Sequence, residues 1–93
     1  MVRPLCPKTI KYEPPYKQFR PEGCPDKQLD TVLIAPEEAE ALRLKNIEEL
    51  DQTAAAKKMG ISQSTFQRLL SSAYKKMSEA LIYGKEIQII NKQ

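Results

Sequence analysis

Residues 51–80 read DQTAAAKKMGISQSTFQRLLSSAYKKMSEA, and their spacing decides the fold. In the second half, Phe66, Leu69, Leu70, Ala73, Met77, Ala80 and Leu81 recur at helical intervals. That period puts one apolar stripe along a helix. No proline or glycine interrupts it before Gly84, which predicts a long helix starting near Gln63. Residues 52–59 predict a shorter helix, capped by Asp51 and packed through Ala55, Ala56 and Met59. Between the two stand Gly60, Ile61 and Ser62. Glycine permits the left-handed backbone that reverses a chain, isoleucine packs beneath the turn, and serine caps the next helix. Two helices joined in this way make a helix-turn-helix.

A preceding helix is predicted to open at Pro36, whose missing N–H costs nothing in a first turn. Glu37, Glu38 and Glu40 complement the positive helix end. Its expected inner stripe is Ala39, Leu42 and Ile47, with Ala41 and Leu44 beside it. Leu29 to Ile34 leans to β structure, with Val32 and Ile34 on one side. Glu86 to Ile89 alternates like a second short strand after Gly84. The two are expected to pair, within the chain or between subunits. Residues 1–28 hold six of the seven prolines, which exclude a long helix or a central strand. They predict an extended arm with turns, pinned through Ile10, Tyr12, Tyr16 and Phe19. The expected fold is therefore mainly α. A three-helix helix-turn-helix domain with a short β pairing spans residues 29–93, and an extended Pro-rich basic arm spans residues 1–28.

Ninety-three residues suit one small domain rather than a deep enzyme cleft. No apolar run approaches the roughly 20 residues that span a bilayer. The opening MVRPLCPK lacks an apolar leader core, so a cytoplasmic protein without membrane attachment is expected. With no histidine and only Cys6 and Cys24, no metal, cofactor or catalytic residue is expected. Those cysteines read as free thiols, with a bridge between subunits as the alternative. The net charge of +3 hides an uneven distribution. Residues 1–20 hold five bases and one acid, residues 21–51 three bases and nine acids, and residues 52–93 seven bases and two acids. One basic and one acidic side suit a protein that turns one face to phosphate.

With the apolar stripe inward, the long helix presents Gln63, Ser64, Gln67, Arg68 and Ser71 outward. Glutamine bonds adenine bidentately, arginine bonds guanine at O6 and N7, and serine serves several base edges. Lys57, Lys58, Lys75 and Lys76 are placed for phosphates. Polar residues on such a helix are often only its wet side. Here, however, no Asp or Glu occurs from residue 52 through residue 78, so nothing on this face repels a phosphate backbone.

Pro36-Glu37-Glu38, Ala56, Gly60-Ile61-Ser62, Phe66, Ala73 and Met77 resemble the helix-turn-helix of sigma factor region 4. Nearly the whole chain resembles domain-of-unknown-function family 134, small DNA-binding proteins by family prediction. The likeness rests on Arg3-Pro4, Phe19-x-Pro21-x-Gly23-x-Pro25, the run from Glu37 to Leu44, Thr65-Phe66-x-Arg68-Leu69-Leu70 and Ala80-Leu81-x-x-Gly84-Lys85. Three positions depart from the pattern. Glu49 stands where the family tends to have glycine, Thr53-Ala54 replaces an acidic pair, and Tyr74 takes an arginine position.

The expectation is sequence-specific binding of double-stranded DNA by a transcriptional regulator. A module of this size usually reads two half-sites as a homodimer, joined through the arm, the end of the long helix or the last strand. The alternative is a protein-interaction module docking on RNA polymerase or another regulator.

Overall fold

Gln18–Phe19 forms β1 and Thr31–Ile34 forms β2 in the computed structural model, which describes residues 14–23, 25 and 29–90. Helix α1 spans Pro36–Leu42 and runs on through a π-helical segment, Arg43–Ile47. Helix α2 spans Gln52–Met59, α3 spans Gln63–Tyr83, and β3 spans Glu86–Ile89. The protein is thus mainly α, with three helices and one small sheet among the described residues. Among the described residues no helix is long and apolar enough to cross a membrane. Ile10, Tyr12, Cys6 and Cys24 lie outside the described residues.

Local chemistry sets the helix ends. Asp51 caps α2 by accepting the Ala54 amide at 2.8 Å. Ser62 caps α3 by accepting the Thr65 amide at 3.1 Å. Between them Gly60 adopts a φ of 71°, and the Ile61 amide reaches back to the Ala56 carbonyl at 3.1 Å. These bonds satisfy groups that a helix end leaves without partners. α1 starts at Pro36, and the Glu38 carboxylate accepts the Ala35 amide at 2.8 Å.

The core lies where the three helices meet. Phe66, Leu44 and Met59 are fully buried, and the small residues Ala41, Ala55 and Ala56 let the backbones approach. Burying a ring such as Phe66 contributes about 2–3 kcal/mol relative to leaving it in water. Leu69, Leu50 and Ile61 pack against this cluster from its edge.

Three residues expected inside lie outside. Met77 is 42% exposed and Leu81 81% exposed, because the apolar cluster shared by the helices takes only Phe66, Leu69 and Leu70 from α3. Beyond Ala73 only Ala80 is buried on that helix. Ile47 is 75% exposed for a different reason. The Glu48 amide bonds the Arg43 carbonyl at 2.9 Å, a π-type bond that puts more residues in each turn. After Leu44 the chain therefore falls out of step with an α-helical stripe. Buried Ala41 and Leu44 define the true inner line, while Ala39 and Leu42 are only half-buried.

The sheet order is β1-β3-β2. β2 pairs with β3 in parallel, Val32 opposite Ile87 and Ile34 opposite Ile89. β1 pairs with β3 antiparallel, Phe19 opposite Ile87. A strand inside the proline-rich region was not expected; it joins residues 18–19 to the sheet through the backbone, while Tyr16 and Phe19, expected to pin the arm, are 73% and 53% exposed. Alternation turns Val32, Ile34 and Ile87 toward the helices and Glu86 to the other side. Glu86 is nonetheless buried, accepting bonds from Gln18 Nε2 and from Thr31 Oγ1, the latter at 3.3 Å. One carboxylate thus ties all three strands together.

Candidate nucleic-acid interface

Because Phe66, Leu70 and Ala73 are held inward, the opposite side of α3 must face solvent. Gln63, Ser64, Gln67, Arg68 and Ser71 are all exposed there. Gln63, Gln67, Ser71 and Lys75 follow one another at four-residue spacing and form one stripe; Ser64 and Arg68 lie beside it. The Ser62 cap places this set in the first half of the helix, next to the turn.

The glutamines do not hang loose. Thr53 Oγ1 donates to Gln63 Oε1 at 3.5 Å, and Gln63 Nε2 donates to Gln52 Oε1 at 3.5 Å. Gln52 Nε2 donates in turn to Gln67 Oε1, and Gln67 Nε2 donates to Ser71 Oγ at 3.3 Å. The chain of amides therefore crosses from α2 to α3 and sets the orientation of both outward glutamines. Gln52 and Thr53 were missed from the sequence as members of this face. Their signal was available: an Asp51 cap puts them in the first turn of α2, next to the start of α3.

The lysines divide. Lys57, Lys58 and Lys75 are exposed, and among the described residues none of them, nor Arg68, is paired with a carboxylate. Lys76 points elsewhere. Its Nζ lies 2.9 Å from Oε1 of Glu38, and its side chain is half-buried against α1. Spacing alone grouped Lys76 with the candidates for phosphate contact; its ammonium is instead engaged by Glu38. Burial would raise the Glu38 carboxyl. The Ser72 hydroxyl, the Ala35 amide and the Lys76 ammonium outweigh it and hold the group below its ordinary value of 4.5.

Tyr74, at the position where arginine was the family expectation, is partly exposed. Its hydroxyl accepts a bond from Asn46 Nδ2 at 3.0 Å, which ties the end of α1 to α3 rather than reaching outward. Among the described residues no group of three or more His, Cys, Asp or Glu side chains is placed to hold a metal ion.

By its fold the protein is a helix-turn-helix, α2 and α3 joined by the Gly60–Ser62 turn, carrying a small mixed sheet. The chain belongs to the family described as protein of unknown function DUF134, which matches residues 1–92. A UPF0251 protein of Halothermothrix orenii is 41% identical over 88 residues, 95% of this chain and 65% of that protein. The UPF0251 protein of Desulforudis audaxviator is 43% identical over 89 residues, 96% of this chain and 58% of its own length. An archaeal relative, the UPF0251 protein of Methanosarcina mazei, is 42% identical over 88 residues, 95% of this chain and 54% of its own. The chain thus spans less than two thirds of the length of these relatives. No solved structure matches it at a significant level.

Proposed function

We propose that the chain binds double-stranded DNA in a sequence-specific way and acts as a cytoplasmic transcriptional regulator, with no catalytic role. One observation carries the reading. The exposed side of α3 offers Gln63, Gln67 and Arg68 on a face free of carboxylates, and the two amides are already oriented by Gln52. Groups fixed before contact lose less freedom on binding, and these are the groups that distinguish adenine and guanine in the major groove. In this reading the first half of α3 enters the groove, and Lys57, Lys58 and Lys75 meet phosphates on its flanks.

The test is a titration of labelled duplexes at two salt concentrations, followed by selection from a random-sequence pool. Each neutralised phosphate contributes about 0.9 to the slope of log affinity against log salt. A steep slope and a recovered consensus are expected. Absence of salt-dependent binding to any duplex overturns the reading and favours the alternative, docking on RNA polymerase or another regulator.

A further inference from the structure

The last turn of α3 carries Leu81, Ile82 and Tyr83, exposed at 81%, 72% and 72%. Successive helical residues turn by about 100°, so these three point to three different sides. Ala80 turns to the core, Lys85 Nζ lies 5.7 Å above the Tyr83 ring, and Leu81 and Ile82 are left open to water, which large apolar side chains leave when a partner covers them. Next to it, Tyr16, Phe19, Ile47, Tyr74, Met77 and Leu81 border two adjoining grooves between the helices and the sheet. The larger groove encloses about 870 Å³, and the two share Phe19, Tyr74, Met77 and Ile87 as a common wall.

We propose that this surface is a self-complementary interface between two copies of the chain, each Leu81–Tyr83 turn entering the groove of the other. Area supports a protein partner of this size. Counting roughly 100–200 Å² of open surface for each large side chain, the groove rim and the helix turn present on the order of 1,000 Å². A standard interface buries about 800 Å² on each partner, and monomers rarely leave more than a few hundred Å² of contiguous apolar surface open. Symmetry supports a second copy. A two-fold interface needs a projection and a matching recess on one patch, and here they adjoin, with Leu81 belonging to both.

Reach supports it as well, although this last point rests on the DNA-binding reading. From Gln67 to Ile82 the helix rises about 22 Å. Two inclined copies joined at their last turns can set their reading faces one DNA turn apart, about 34 Å. A small apolar ligand would fill the groove but leave the three-sided turn in water.

Sedimentation and light scattering of the full chain, without DNA, test the interface separately from the DNA reading. The expected mass is twice the 10.6 kDa protomer. Changing Leu81→Asp together with Tyr83→Asp is expected to weaken association by about 100-fold or more, with wild-type helical circular dichroism. Leu33→Asp, on the opposite side of the sheet, is expected to leave the dimer intact. The chain has no tryptophan, so Tyr83→Trp adds a lone probe whose emission is expected to shift to the blue as protein is concentrated. This readout decides the matter even if the double change disturbs folding. A monomer up to about 100 µM, weaker than a standard interface allows, overturns the proposal. So does a dimer indifferent to the α3 changes, or Trp emission that ignores concentration. Monomeric protein that still binds DNA with a steep salt slope would sink the interface and leave the DNA reading standing.

Discussion

Lys76 on α3 donates to Glu38 on α1 across 2.9 Å, and Glu38 is 4% exposed. The carboxylate also accepts the Ser72 hydroxyl and the Ala35 amide, so one buried group fastens α1 both to its own first turn and to α3. A buried charge with several donors is favourable only while every partner is present. Glu38→Gln keeps the shape but turns an amide toward the ammonium, and is expected to cost about 2 kcal/mol at neutral pH. The Glu38 group is held below 4.5, so its contribution is full above that value and is lost as pH falls through the folded value. Urea denaturation at pH 7 and pH 3 checks this: the gap between wild type and Glu38→Gln should narrow at the lower pH. A gap of equal size at both would remove the charge from the account.

Arg68→Ala and Gln67→Ala should each weaken binding to a selected duplex by about 1–3 kcal/mol if either side chain makes a bidentate base contact. The network adds a prediction specific to this face. Gln52→Ala removes the donor that holds Gln67 Oε1 without touching the outer stripe, so it should relax discrimination between duplexes more than it lowers affinity for random sequence. Competition titrations with cognate and scrambled duplexes measure both. Unchanged cognate affinity in both Arg68→Ala and Gln67→Ala would falsify the assignment of the reading face.

How far these features are legible in sequence depends on how local their causes are. Asp51, Gly60 and Ser62 act on amides within five residues of themselves, so the turn and both adjoining helices could be read directly. The phase of α3 was also readable, from Phe66, Leu70 and Ala73. What periodicity does not contain is the length of the neighbours. It marks Met77 and Leu81 as apolar-side residues without revealing that the shared apolar cluster takes nothing from α3 beyond Leu70. Nor does spacing disclose the π-type bonding after Leu44 that turns Ile47 outward, or the pairing of Gln18–Phe19 with a strand near the far end of the chain. The site follows the same division. Outward residues were visible from the helical wheel. The engagement of Lys76 by Glu38 depends on a partner 38 positions away.

The exposed lysines and the paired one should separate in salt dependence. Lys57→Ala is expected to lower affinity for all duplexes alike and to reduce the log–log salt slope by about 1. Lys76→Ala should leave that slope nearly unchanged and act instead on stability, since its charge faces Glu38. Binding isotherms at several salt concentrations, set beside thermal melts, distinguish the two. A slope that falls equally in both variants would return Lys76 to the phosphate-facing set.

Glu49 holds a φ of 60°, and among the described residues it is the only non-glycine in the left-handed region. It follows the π-helical segment, where the Leu50 amide turns back to the Leu44 carbonyl at 3.1 Å. A side chain at such a position costs roughly 1–2 kcal/mol through contact between Cβ and the backbone. Glycine removes that contact but loses about 0.5–1 kcal/mol through the freedom it gains in the unfolded chain. The first effect is the larger. The nearby ion pair of Arg43 is made with Glu48 and does not involve Glu49, so it survives the change. Glu49→Gly should therefore raise stability by about 0.5–1 kcal/mol, which for a domain this small moves the melting temperature up by about 2–8 °C. A calorimetric scan of the two proteins settles it. A lower melting temperature would mean that Glu49 makes a compensating contact worth more than its backbone strain.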